Sequence, residues 1–390
     1  MRRDLTESDR RAVVRGAAAA WRTAGRIDDA TLERIVALFP DDRVRAGLAT
    51  RVLLAVFTVV AGFGAFGVLA VAGHEPSVAL VVGIAAAIAT ELLVTGARRR
   101  GAGIEEGTTF LTLVMLAVGV TAALPSSHRR FEAALRVALA VALVVCAMVV
   151  WRWRMPTYAG IGTAALFLLI AQTPAGPPLW LLVPSALSPL LLRGARSARL
   201  PPAHRESCRW ALVVSLAALY VALNLASADQ HWIAHLDTNY TRWATDTEVA
   251  AWLRTLHAVG TAGLPLLVIG AGVRRRERIL LWSGTVMALG SLVTLRYYVH
   301  LAPLWIELLG GGALAIVTAL LLRRWLDAGS GHERRGFTAE PGFSAGDRER
   351  LIEVTAVLVA FTPQARPTET KPAFEAGGGE FGGGGASDSF

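Results

Sequence analysis

Two groups of side chains in this sequence are of types, and at spacings, that can do chemistry. The first is a set of ionisable groups inside long apolar runs: Glu91, Arg136, Arg296 and Glu307. A charge in such a run is costly, so each is a functional candidate by default. The second is the string Asp229-Gln-His231-Trp-Ile-Ala-His235-Leu-Asp237. Histidines four apart share one face of a helix, and Asp237 or Asp229 could complete a zinc-like set with them. Trp232 stands where a His-Glu-x-x-His metalloprotease helix has its glutamate, so the pattern favours an interfacial helix over a metal site. The expectation is no metal and no cofactor.

Each intramembrane charge has a structural reading beside the functional one. Glu91 falls roughly 10 Å along a helix from the cluster Arg98–Arg100, within snorkelling reach. Arg136 lies about one turn inside its apolar run. Arg296 and Glu307 flank a very short connection, so they fall at similar depth and can pair, either fixing two helices or forming a polar gate. Tyr297, Tyr298, His300 and Trp305 surround them, as in the aromatic belt of a membrane interface. A membrane-embedded transferase would need a carboxylate or histidine cluster at the outer face. His74 and Glu75, His231 to Asp237, and Arg296 to Glu307 are the material for one.

The elements that must position these groups are membrane helices. The 390 residues are 54% hydrophobic and 18% charged, with mean hydropathy +0.47, and the charge shortfall is concentrated in long runs. A single soluble globular fold is thereby excluded. About 20 apolar residues cross a bilayer. Ten runs qualify as candidates: 52–72, 77–96, 107–124, 132–151, 158–172, 177–193, 209–227, 251–272, 278–298 and 302–323. The fifth and sixth are short, and Pro184 and Pro189 are expected to break the sixth, as in transporter sites built on broken helices. The runs are continuous and not alternating, which argues against a β-barrel. The expected fold class is all-α, a polytopic transmembrane bundle of about ten spans.

Of 39 basic residues only Lys371 is a lysine, so 38 are arginine, and the net charge is +9. The arginines are scattered between apolar runs and form no basic face, so nucleic acid is not an expected partner. Eleven precede or open the first span, and clusters recur at 98–100, 152–154, 193–205, 274–278 and 323–335. That asymmetry predicts both termini in the cytoplasm of a bacterial cell. Arg129 and Arg130 fall in a loop that the count places outside, against the trend. The acidic residues close to Arg2 and Arg3 differ from a cleavable signal peptide, so the first span itself is expected to direct insertion.

Residues 1–50 read as a cytoplasmic helical prelude. Thr6 to Asp9 offers N-cap chemistry, Gly25 a stop, Asp28 or Asp29 a second start, and Pro40 an end. Residues 51–326 form the bundle, with an outside segment at 228–250. Residues 327–390 form a cytoplasmic tail, Gly-rich and largely disordered after 363. The tail is a possible site for a cytoplasmic protein partner. Cys146 and Cys208 are too few for a disulfide framework or a thiolate metal site.

Gly25-Arg-Ile-Asp-Asp29 leading into Arg51-Val-Leu-Leu-Ala-Val56, and Arg296-Tyr-Tyr298 followed by Leu308-Leu-Gly-Gly-Gly312 and Arg323-Arg324, cover under a third of the chain. In these stretches it resembles bacterial multi-pass membrane proteins of a domain-of-unknown-function class. The resemblance implies the architecture only. The ending Gly-Gly-Gly-Gly-Ala-Ser-Asp-Ser-Phe390 is similar in composition to the Gly-rich ends of some bacterial membrane-anchored proteins. The expected function is a non-enzymatic transporter-like or envelope-associated bundle in the cytoplasmic membrane, with the bilayer as its partner. The alternatives are a transferase acting on a lipid-linked substrate at the outer face, and a membrane scaffold or sensor.

Overall fold

The chain begins with the prelude helices α1 (Arg3–Thr23) and α2 (Asp29–Leu38). This computed structural model describes residues 3–23, 25–40, 47–73, 77–96, 101–124, 131–173, 176–228, 251–299, 304–328, 333–334 and 337–338. The turn between α1 and α2 is set by Gly25, whose φ of 67° suits a residue without a Cβ. Asp28 then caps α2, its carboxylate accepting the Thr31 amide at 3.0 Å. Hydrogen bonds from Thr31 hold the Asp28 carboxyl below its ordinary pKa. Leu32, Ile35 and Val36 are half-buried on α2, whereas Leu38 is exposed.

Each of the ten apolar runs folds as helix, because a backbone in hydrocarbon must satisfy its own amides and carbonyls. They are α3 (Leu48–Gly73), α4 (Ser77–Glu91, extended by a π-helical turn Leu92–Gly96), α5 (Ile104–Ala122), α6 (Phe131–Arg152) and α7 (Thr157–Ala171). Then follow α8 (Gly176–Arg196), α9 (Pro202–Leu223), the short α10 (Leu225–Ala228), α11 (Ala251–Arg275), α12 (Arg278–Val299) and α13 (Leu304–Asp327). Among the described residues, eight helices are long and apolar enough to cross a membrane: α3, α4 with its π turn, α5, α6, α8, α9, α11 and α12. The count of ten is thus met in part. Helix α7, at 15 residues, spans roughly 23 Å and falls short of a ~30 Å hydrocarbon core. A two-residue antiparallel ladder, β1 (Glu333–Arg334) with β2 (Phe337–Thr338), follows α13. The segment 228–250 lies almost wholly outside the described residues, as does the tail from residue 339.

One expectation is corrected. The sixth run is neither short nor broken: α8 runs through 21 residues with Pro184 and Pro189 inside it. Neighbouring groups occupy backbone atoms around the prolines. Ser185 Oγ donates to the Leu181 carbonyl at 2.6 Å, and Ser215 Oγ of α9 donates to the Pro184 carbonyl at 3.4 Å.

Packing follows sequence neighbours. The hairpins α4–α5, α6–α7, α8–α9 and α11–α12 pair along their lengths, α3 and α6 lie on α5, and α7 packs on α9 to join the two groups. Small residues permit the close approaches. At Gly107 a Cβ would meet the Ala55 carbonyl at 2.7 Å, so α3 and α5 touch backbone to backbone. At Gly310 and Gly312 of α13 an added Cβ would meet nothing within 4 Å. Helix α13 packs against β1, and Glu307 lies in it, its side chain outside the described set.

Candidate functional site

The string Gly101-Ala-Gly-Ile-Glu-Glu-Gly-Thr-Thr109 crosses from the α4–α5 connection into α5. Gly103 sits at φ 103° and opens the helix. That turn aims three amides at one point, and Glu105 fills it. Its carboxylate accepts from the Gly101, Ala102 (3.0 Å) and Gly103 (3.1 Å) amides, and the residue is 1% exposed. A carboxylate is favoured there twice over, by the amide donors and by the positive end of the helix dipole. The Glu105 carbonyl in turn accepts from Thr108 and Thr109.

Glu106, one residue on, points to α3. Arg51 grips it with Nε and Nη2, a two-point contact that fixes guanidinium against carboxylate. Tyr158, at the start of α7, donates its hydroxyl to the Glu106 carbonyl at 3.2 Å. A second two-point pair lies beside it. Arg152, the last residue of α6, donates Nη2 to Glu91 at 2.7 Å and Nε at 3.2 Å, and the Trp153 indole N–H donates to the same carboxylate at 2.8 Å. Thr90 Oγ1 donates to Thr108 Oγ1 at 2.8 Å and ties the α4 side to the α5 side. The buried Arg154 occupies the turn between α6 and α7 at φ 55°.

These residues sit at the starts of α3, α5 and α7 and the ends of α4 and α6, so one end of the α3–α7 group carries a connected polar network. Beneath it lies the apolar cluster of Val94, Leu113, Cys146, Val149, Trp153, Met155 and Tyr158. The pair side chains are 29–40% exposed, which puts both pairs at the rim of the bundle and not in its centre. Chemically the network holds charge in fixed two-point geometry. Each of its carboxylate oxygens is engaged by a guanidinium, an indole or backbone amides.

The Glu91–Arg152 contact has a measurable consequence. Glu91→Gln and Arg152→Gln are each expected to destabilise the folded chain, and the double variant to cost less than their sum, by ~1 kcal/mol or more of coupling. Additive losses in unfolding in detergent would show that the contact carries no coupling.

A second polar network lies in the other group of helices. Between α9 and α10 the backbone leaves the helix at Asn224, which is extended (φ −73°, ψ 141°) and only 7% exposed. Leu225 N donates to Thr261 Oγ1 of α11 at 2.7 Å, and Asn224 Nδ2 donates to Thr294 Oγ1 of α12 at 3.2 Å. Ala226 N caps back onto Asn224 Oδ1 at 2.9 Å. The Tyr220 hydroxyl meets Ser291 Oγ at 3.2 Å. Here the backbone break is held by hydroxyls of neighbouring helices.

Glu91 belongs to the first network, and its described ion-pair partner is Arg152, 61 residues away, while Arg98–Arg100 lie outside the described residues. Arg136 is exposed near the start of α6, its Nε donating to the Glu132 carbonyl at 3.4 Å. Arg296 is half-buried on α12, close in sequence to Thr294. His74, Glu75, His231, His235 and Asp237 lie outside the described residues. Among the described residues, no group of three His, Cys, Asp or Glu side chains is placed to hold a metal ion. Sequence reasoning missed Arg51, Glu105, Glu106, Arg154 and Tyr158. The available signal was two adjacent carboxylates at a helix start between glycines.

Comparison with protein-family models, with curated protein sequences and with solved structures finds no match to this chain.

Proposed function

We propose that the chain is an integral protein of the bacterial cytoplasmic membrane, with both termini in the cytoplasm, acting as a non-enzymatic, transporter-like bundle. The observation that carries this reading is the break at Asn224. An extended residue inside an apolar helix group leaves polar groups that need partners: Thr261 Oγ1 of α11 accepts from the Leu225 amide, and Thr294 Oγ1 of α12 accepts from the Asn224 side chain. Irregular backbone at membrane depth is tolerated where protein or a water-filled path surrounds it, and discontinuous helices of this kind form transporter binding sites. The arginine asymmetry puts this break toward the outer side and the Arg51–Glu106 and Arg152–Glu91 pairs toward the cytoplasm. On this reading the paired end is closed and the Asn224 end is the entrance.

The test is thiol accessibility. Thr294→Cys and Ser291→Cys, each in a chain carrying Cys146→Ser and Cys208→Ser, are expected to react with a membrane-impermeant thiol reagent added outside and not inside. A bundle sealed to the reagent from both sides would overturn the transport reading and favour a scaffold. Reaction from the inside alone would reverse the assigned orientation.

A further inference from the structure

Helix α1 is amphipathic in a way the bundle does not use up. It packs on α2 and on α9, and Ala18 is fully buried. Val13, Ala17 and Trp21 recur every four residues and therefore share a different face. Val13 is 50% and Trp21 48% exposed, and Ala20 beside them is exposed too. From Arg10 to Arg26 the chain carries five arginines and no carboxylate. Arg22 is turned to Asp29 at 2.6 Å, while Arg10 is exposed within a turn of Val13.

A short apolar strip with a tryptophan, flanked by arginines on a helix too polar to cross the bilayer, is the composition of a helix lying in a membrane interface. Tryptophan suits headgroup depth because its ring is apolar and its N–H is polar. The positive charge fixes the chemistry of the surface: phosphate-bearing anionic lipid attracts an exposed arginine such as Arg10, and a neutral surface does not. Continuity with α9 supplies the position, because α1 touches a helix that itself qualifies as a membrane span.

We infer that α1 docks its Val13–Ala17–Trp21 face on the anionic lipid surface of the leaflet beside α9, with Arg10, which shares that face, as its electrostatic contact. This rests on the membrane orientation proposed above but not on transport. Docking fixes α1 at the headgroups beside α9.

The full chain, with Cys146→Ser and Cys208→Ser, is reconstituted in vesicles of phosphatidylglycerol with phosphatidylethanolamine, or of phosphatidylcholine alone. A nitroxide is attached after Val13→Cys or, as a control on another exposed face, Ala19→Cys. In anionic vesicles the label at position 13 is expected to collide more with oxygen than with a water-soluble nickel chelate, and the label at 19 the reverse. Arg10→Gln is expected to lower the immersed fraction about fivefold, and Trp21→Ala to lower it further. Contact with water at position 13 in anionic vesicles would overturn the proposal. Protection of position 13 from both reagents would place the face against protein and would equally overturn it. Immersion that is equal in both vesicle types would remove the anionic lipid as the partner. A protein inserted with its termini outside would leave these contrasts unchanged while failing the sided thiol test, so the two failures are distinguishable.

Discussion

Replacing Glu105 with leucine is expected to lower the unfolding free energy of the chain in detergent by about 3 kcal/mol or more, one of the two largest single-residue effects expected in the α3–α7 group. The carboxylate is the acceptor for three amides of the Gly101–Gly103 turn, in a site 1% exposed. Leucine fills the space and leaves the donors unmatched, at about 1–3 kcal/mol for each buried group that water cannot reach. Glu105→Gln keeps one acceptor oxygen and is expected to recover part of the loss. Hydrogen exchange would localise the effect, because the Gly101–Gly103 amides become the first to open. A leucine variant within ~0.5 kcal/mol of the natural chain would mean that water already satisfies the turn.

The second large effect is expected at Gly103. Its φ of 103° is strained for any L side chain, and an added Cβ would run into the Arg51 carbonyl and its flanking backbone atoms. Backbone cannot swing aside as a side-chain end can. Gly103→Ala must therefore push α3 away from the start of α5, which also pulls Arg51 from Glu106. A loss of about 3–4 kcal/mol is expected, near the upper end for point substitutions. Gly25→Ala is the control. That residue also has positive φ, at 67°, but nothing lies within 4 Å of its would-be Cβ. It should cost only the conformational term of about 1 kcal/mol. Equal losses at the two positions would show that the close approach to α3 contributes nothing.

The helices were legible and the network was not, for a physical reason. Apolar runs declare themselves locally, since a segment in hydrocarbon must be apolar along its whole length. So all ten runs are helical, the seventh with its break at Asn224, and the start at Asp28 and the stops at Gly25 and Pro40 follow from cap and turn chemistry. Partners are not local. Glu91 lies near three arginines in sequence, yet its described ion pair is with Arg152 from two helices on. Arg51 reads as one more topology-setting arginine until α5 is laid beside α3. Glu105 and Glu106 were lost by placing the start of the third span at residue 107. Prolines misled in the opposite sense: Pro184 and Pro189 mark a helix that continues, while the real break falls at Asn224, where no proline stands.

The spacing of the two ion pairs has a bearing on how the chain is made. Arg51 and Glu106 are 55 residues apart, and Glu91 and Arg152 are 61 apart. A ribosome adding roughly 5–20 residues per second delivers the second partner about 3–12 seconds after the first. Through that interval α3 exists without the carboxylate that Arg51 grips, and α4 without the guanidinium and indole that engage Glu91 from the end of α6. Arg51 can wait at the aqueous boundary on its long stem. Glu91, with a shorter side chain, has less reach. A nascent chain stalled before Arg152 therefore lacks the two-point contact that ties the end of α4 to the end of α6, and the two helices gain this link only once α6 is complete.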